Sequence, residues 1–159
     1  MKTKMKYTNA QLSWLVILRV AIGWHFLYEG LVKLMNPNWS SVGFLLDSRG
    51  FMESFFHSLT ADPLTVSILD QLNIWGLILI GLGLILGIFA RPACIFGILL
   101  LTMYYLSHPP FTGLRYSVPS EGSYLIINKN LIELIALAVL LVFPSSRYIG
   151  IDRFIFKRR

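Results

Sequence analysis

The first long apolar stretch of the chain, residues 12–33, constrains the fold more than any other feature of the sequence. Its sequence is LSWLVILRVAIGWHFLYEGLVK, and as one helix it extends roughly 33 Å at about 1.5 Å per residue, enough to cross a bilayer core. Arg19, His25, Glu29 and Lys33 fall on one side of this helix, within an arc of roughly 120°. Because charged groups in a membrane helix are costly and usually face the protein interior, the stretch predicts a polar stripe buried against partner helices.

The composition limits the protein to a few classes. Of its 159 residues, 55% are hydrophobic and 14% are charged, which is too apolar for an ordinary soluble domain, and we expect one membrane domain over residues 1–159. The net charge of +6 comes from basic residues near the helix ends, so nucleic-acid binding is not expected. Cys94 is the only cysteine, which excludes an intramolecular disulfide. His25, His57 and His108 lack the spacing of metal ligands, so no metal site is predicted.

The hydrophobic pattern predicts an all-α fold, an integral membrane bundle of four helices. The predicted spans cover about residues 12–34, 74–90, 92–107 and 124–143. Arg91 and Pro92 are predicted to form the turn between the second and third spans. The connection at residues 40–71 is long, and its apolar runs are too short to span, so it predicts short helices at the membrane surface on the outer side.

Lysine and arginine are distributed unevenly between the ends of the predicted spans. The first six residues include three lysines, residues 157–159 are all basic, and Arg91 lies in the short turn. The two long loops, at residues 36–71 and 107–123, carry one arginine each. The positive-inside rule therefore predicts that both termini are cytoplasmic and both long loops lie outside, in the inner or plasma membrane of the cell.

In this orientation, polar residues of the first and last spans reach a similar depth in the outer half of the bundle. We predict that His25, Glu29 and Glu133 carry protons in a catalytic role. The predicted binding residues are Arg19, Lys33, Asn128, Lys129, Asn130, Trp75, Tyr104, Tyr105 and His108. Cations, carboxylates and aromatic walls together suit a quinone head group or a small anion that enters from outside.

The same residues have a second interpretation, which the sequence leaves open. They are also what a set of structural ion pairs between helices requires, and tyrosine and tryptophan at helix ends are common interfacial anchors. In that case the protein is a non-catalytic scaffold, or a transporter-like module that binds a solute or lipid. No haem, flavin or iron–sulfur motif is visible, so the sequence does not indicate an electron donor.

Several motifs, taken in order, resemble the DoxX family. LRVAIGWHFLYEGLVKL resembles its first helix, with Arg19, Gly23, Gly30 and Lys33, and WGLILIGLGLILGIFARPA is similar to its second. SSRYIGIDRF resembles the closing motif of the family. NPNWS, LNIWG, YYLSHPP and EGSYLIINKNLIEL resemble the DoxD type in particular, although Asn73 stands where many DoxX members have a glutamate.

The resemblance implies a four-helix membrane subunit of a quinone-linked oxidoreductase. The activity attached to the DoxD type is thiosulfate:quinone oxidoreductase, which forms tetrathionate and includes a second subunit, DoxA. The expected cofactor is therefore quinone. The expected partners are the lipid bilayer and a DoxA-like or other redox subunit, and further copies of the chain are left open.

Overall fold

The computed structural model describes residues 7–117 and 125–155, and this part of the chain is all-α, as predicted. It contains seven α-helices and one 3-10 turn at Ser145–Arg147, with no strand among the described residues. The helices are α1 (Asn9–Met35), α2 (Val42–Leu46), α3 (Glu53–Ser58), α4 (Pro63–Leu86), α5 (Ala90–Ser107), α6 (Lys129–Val142) and α7 (Asp152–Ile155). The short helices α2 and α3 occupy the long connection in which the sequence predicted them.

Within the described residues, four segments are long and apolar enough to cross a membrane, which confirms the predicted bundle of four spans. They are α1, α4, α5 and a fourth segment that runs from α6 through the 3-10 turn, Lys129–Arg147. Large apolar side chains such as Trp14, Leu79 and Phe96 are exposed on the surface, where they suit contact with lipid.

Glycines let α1 and α4 approach closely. A side chain at Gly81 of α4 would place its Cβ 2.5 Å from the backbone nitrogen of Leu27 in α1. Small residues permit such contact between membrane helices. α5 packs mainly against α6, and the two helix pairs enclose a core in which Leu84 and Leu137 are fully buried.

The second span differs from its prediction at both ends. α4 begins at Pro63, inside the predicted connection, because Asp62 caps it by accepting the backbone N–H of Thr65. It ends at Leu86, where Gly87 adopts the left-handed conformation (φ +64°). The predicted turn at Arg91 and Pro92 is wrong, since α5 already begins at Ala90 and proline is tolerated in a first helical turn.

The last span begins later than predicted. Residues 125–128 are not helical, and Asn128 caps α6 by accepting the backbone N–H of Leu131. Glu133 therefore lies about 6 Å from the start of its helix at about 1.5 Å per residue, nearer to the end of the bundle than expected. The predicted start at residue 124, the basic residues before residue 7 and those at residues 157–159 lie outside the described residues.

The segment after α6 folds back onto the turn between α4 and α5. The carboxylate of Asp152 accepts the backbone N–H groups of Phe89 and Ala90, at 2.8 and 3.2 Å. Arg19 of α1 donates to Ser145 Oγ and to the carbonyl of Ile149, at 3.3 and 2.8 Å. We call this closed arrangement the tail clasp, and define it by Arg19, the turn at residues 87–90 and residues 145–152.

Candidate functional site

A cavity of about 500 Å³ lies between the helices at the end of the bundle opposite the tail clasp, and it is partly open to the surroundings. Residues of α1, α2, α4, α5 and α6 line it. They are His25, Phe26, Glu29, Lys33, Trp39, Ser40, Ser41, Gly43, Phe44, Asn73, Leu77, Leu101, Tyr104, Lys129, Asn130 and Glu133. Polar and ionisable groups thus share the cavity with aromatic and aliphatic walls.

A hydrogen-bonded group at Lys33, Asn73 and Tyr104 joins α1, α4 and α5 at this cavity. Lys33 Nζ donates to Asn73 Oδ1 at 3.0 Å and lies 3.5 Å from the hydroxyl oxygen of Tyr104. Asn73 Nδ2 donates to the same hydroxyl oxygen. The ammonium group also lies 5.1 Å from the centre of the Trp39 ring, a distance typical of a cation–π contact. Neutral groups therefore surround the charge of Lys33 on three sides.

A second pair, His25 and Glu133, connects α1 to α6. Nδ1 of His25 and Oε1 of Glu133 lie 2.8 Å apart, and because an ionised carboxylate only accepts, Nδ1 carries the hydrogen. The Glu133 side chain is 12% exposed and that of His25 is 45% exposed. The pair therefore places one partly buried and one accessible ionisable group on the same wall.

Glu29 lies on α1 between these two groups, one helical turn from His25 and one turn from Lys33. It lines the cavity, and its carboxylate makes no hydrogen bond or ion pair with any residue the structure describes. Its charge is nevertheless close enough to act on both neighbours. Glu29 is therefore an acceptor available to an occupant of the cavity.

α2 closes one side of the cavity and is anchored at its N-terminal end and through its central residue, Phe44. The backbone N–H of Ser41 donates to Asp70 Oδ1 of α4 at 2.8 Å. Phe44 stacks on His108, with 4.1 Å between ring centres, and meets the Tyr104 ring edge-on at 5.6 Å. The sequence predicted the short helix but not its role as a wall.

Behind α2 lies a buried polar group outside the cavity. Asp47 accepts the backbone N–H of Ser117 with both carboxylate oxygens, and its Oδ2 lies 3.7 Å from Nε2 of His108. Burial lowers the pKa of His108, and the nearby carboxylate of Asp47 opposes that shift only in part. We therefore expect His108 to be neutral at pH 7 and to support α2 rather than contact an occupant.

The structure brings most of the predicted site together. Seven of the predicted residues line the cavity: His25, Glu29, Glu133, Lys33, Lys129, Asn130 and Tyr104. The other five do not: Arg19 lies in the tail clasp, Asn128 caps α6, Trp75 is exposed on the outer face, Tyr105 donates to the carbonyl of Ile126, and His108 supports α2.

Asn73, Trp39 and Phe44 are cavity residues that the sequence did not assign to the site. Asn73 carried a usable signal, since it is an amide directly before the long apolar run of α4 and lies four residues before Leu77, on the same face. Trp39 and Phe44 carried no such signal, because residues in a loop or a very short helix show no hydrophobic period from which the direction of a side chain can be inferred. In the described part of the chain, no group of three histidine, cysteine or acidic residues is close enough to hold a metal ion.

Comparison with known families agrees with this architecture. The DoxX family model matches residues 14–109, from the first turns of α1 to just beyond the end of α5. No curated protein and no solved structure gives a significant match. The match stops before α6, so Lys129, Asn130 and Glu133 lie outside it. Since it covers more than half of the chain, this multi-pass membrane protein belongs to the DoxX family.

Proposed function

We propose that this DoxX protein is the quinone-binding membrane subunit of an oxidoreductase, and that the cavity receives the quinone head group. The observation that carries the proposal is that hydrogen-bond donors at Lys33 and Tyr104 share one cavity with the acid–base pair of His25 and Glu133. Quinone reduction takes up protons together with electrons, so a site for it needs groups of both kinds.

The cavity fits a quinone head group in size and in chemistry. Its volume of about 500 Å³ lies in the range of ordinary small-molecule sites. Trp39, Phe44 and Tyr104 offer aromatic surfaces to a flat ring, and Lys33 and Tyr104 offer donors to a carbonyl oxygen. A bound quinone supplies two-electron, two-proton redox chemistry.

The acidic residues and the histidine account for proton delivery. Since Nδ1 of His25 is held by Glu133, its Nε2 is the atom that exchanges protons. Glu29 is exposed and lies one turn away on the same helix, where it can return a proton to His25 from the surroundings. In this proposal the three residues have the catalytic role that the sequence predicted for them.

We propose further that the chain is of the DoxD type and that thiosulfate is the electron donor. Oxidation of two thiosulfate ions to tetrathionate releases two electrons, which matches the two that reduction of one quinone takes up. We assign that oxidation to a DoxA-like partner subunit. The support is the order of the DoxD-like motifs along the chain.

A scaffold without catalytic activity is the second candidate, and one observation favours it. Lys33, Asn73 and Tyr104 bond to one another, as do His25 and Glu133, so much of the polar site is satisfied without a ligand. Networks of this kind can serve to fix the arrangement of helices alone.

Two glycines provide a matched test of quinone binding. A Cβ atom added at Gly43 or at Gly76 would meet nothing within 4 Å, but only Gly43 lines the cavity. We expect the purified protein to retain quinone, identified by the ultraviolet spectrum of an extract before and after borohydride reduction. Gly43→Phe should lose it and Gly76→Phe should keep it. Wild-type protein without quinone, even after reconstitution with it, or equal retention by both variants would contradict the proposal.

The proposed orientation has its own test. Both termini are cytoplasmic in this proposal, in the inner or plasma membrane, and the cavity then opens in the outer half of the bundle. A reporter that is active only in the cytoplasm should work when fused after Arg159 and fail when inserted within residues 117–123. The opposite pattern would reverse the orientation and place the cavity at the inner face.

A further inference from the structure

The hydrogen bonds among Lys33, Asn73 and Tyr104 have a direction that chemistry fixes. An ammonium group only donates, so the Asn73 atom 3.0 Å from Lys33 Nζ must be the amide oxygen. The amide nitrogen then faces Tyr104 and donates to its hydroxyl oxygen. Lys33 Nζ, at 3.5 Å, is the other neighbour of that oxygen. Both groups that contact the Tyr104 oxygen are therefore donors.

The hydroxyl hydrogen of Tyr104 must consequently point elsewhere. Among the described residues the two donors, Lys33 and Asn73, are its only hydrogen-bond neighbours, and Tyr104 lines the cavity. We infer that Tyr104 donates its hydroxyl hydrogen into the cavity and so selects an occupant with an acceptor oxygen, and that Asn73 is the positioning residue that fixes this direction. The inference rests on the proposed function, since it identifies the group that recognises a quinone carbonyl.

Asn73 has this effect because it is an amide. A carboxylate at the same position has nearly the same size but only accepts, so it would take the hydrogens of both Lys33 and Tyr104. The hydroxyl hydrogen of Tyr104 would then point to the carboxylate instead of into the cavity. The carboxylate would also neutralise the charge of Lys33. The edge-on contact between Phe44 and the Tyr104 ring, at 5.6 Å, holds the ring in place in either case. With an amide at this position the site therefore donates a hydrogen bond into the cavity, whereas with a carboxylate it would form a closed ion pair.

The experiment compares two probes of similar shape, menadione and 2-methylnaphthalene, which lacks the carbonyl oxygens. Equilibrium binding is measured to the full chain in lipid nanodiscs and corrected with empty nanodiscs. We expect the wild type to prefer menadione by about tenfold, since a hydrogen bond contributes about 0.5–1.5 kcal/mol. Tyr104→Phe and Asn73→Asp should each lower the affinity for menadione about threefold to tenfold and leave that for 2-methylnaphthalene unchanged.

A double variant and a control complete the design. Tyr104→Phe added to Asn73→Asp should cause no further loss, because the carboxylate has already taken the hydrogen. Asn38→Asp makes the same chemical change outside the cavity and should leave both affinities unchanged. A merely structural role of Asn73 would instead weaken both probes to the same extent.

The outcomes distinguish this inference from the proposed function. If the wild type binds no menadione above empty nanodiscs, the proposed function fails and the inference fails with it. If the wild type binds menadione but Asn73→Asp and Tyr104→Phe keep the tenfold preference, the inference alone is overturned. Equal losses for both probes, or additive losses in the double variant, also overturn it.

Discussion

The polar groups at the two ends of the bundle differ in how exposed they are and in how fully they are hydrogen-bonded. In the tail clasp, Arg19 is 3% exposed and Asp152 is 4% exposed, and backbone groups and a hydroxyl pair with both of them, although Nε of Arg19 has no partner among the described residues. At the cavity end, Glu29 is exposed and without a hydrogen bond in the described structure, and His25 is half-exposed beside its partner. A buried and largely paired group stabilises a fold, whereas an accessible group with free hydrogen-bonding capacity can bind and react.

The largest expected effect is on stability, at the tail clasp. Asp152→Ala removes the acceptor of two backbone N–H groups at the start of α5 and a carboxylate that interacts electrostatically with Arg19. We expect a loss of about 3–5 kcal/mol in the free energy of unfolding. Thermal unfolding in detergent measures it, and Asp152→Asn, which keeps one acceptor oxygen, should lose about half as much. Wild-type stability for both variants would show that the clasp is dispensable.

Arg19→Ala should have the next largest effect, a loss of about 3 kcal/mol. Arg19 donates to a hydroxyl and a carbonyl, not to the carboxylate that a stripe of charged residues suggests. Its removal therefore leaves the oxygens of Ser145 and Ile149 without this donor. Quinone binding should remain at the wild-type level in the folded fraction. A specific loss of binding without a loss of stability would place Arg19 in the site after all.

Neutralising the charged residues of the cavity should have the opposite result: stability is kept and quinone binding falls. Glu29→Gln, Lys129→Met and Glu133→Gln keep most of the side-chain volume, and the amide oxygen introduced by Glu133→Gln still accepts from His25. We expect stability changes below about 1 kcal/mol and a fall in quinone binding of about threefold to tenfold. Should all three variants bind like the wild type while melting markedly earlier, the scaffold function stands instead.

The smallest effect concerns pH and the support behind α2. Because burial lowers the pKa of His108, the unfolded chain takes up this proton more readily than the folded one. Stability should therefore decline as the pH falls through about 6.5, the usual histidine pKa, towards the lowered pKa of the folded state. His108→Gln should reduce that decline, measured as the difference between variant and wild type from pH 7.5 to 5. An identical slope in both proteins would contradict the assignment.

Arg19 and Lys33 illustrate how far the sequence predicts such a molecule. Helix length and apolar content predict the four spans, and distance from the helix ends places Lys33, Glu133 and Tyr104 at one level. The sequence cannot separate Arg19 from Lys33, because their partners are decided by tertiary packing: Ser145 in one case and Asn73 in the other.

Helix phase accounts for a second error. The start of α4 was misplaced because Asp70 and Gln71 interrupt its apolar run, although Asp70 is held by the backbone of Ser41. With that start uncertain, the direction of each side chain was uncertain too. Asn73 faces the cavity, and Trp75, two residues further on, points to the outer surface.

The location of bound quinone tests the central claim most directly. A photoreactive azidoquinone, cross-linked to the full chain in nanodiscs and mapped by mass spectrometry, should label residues 25–44 and the cavity face around Asn73 and Tyr104. Excess decylubiquinone should suppress that labelling. Labelling spread over lipid-facing residues such as Trp14 and Phe96, or centred on the tail clasp, and unaffected by the competitor, would contradict a quinone site in the cavity.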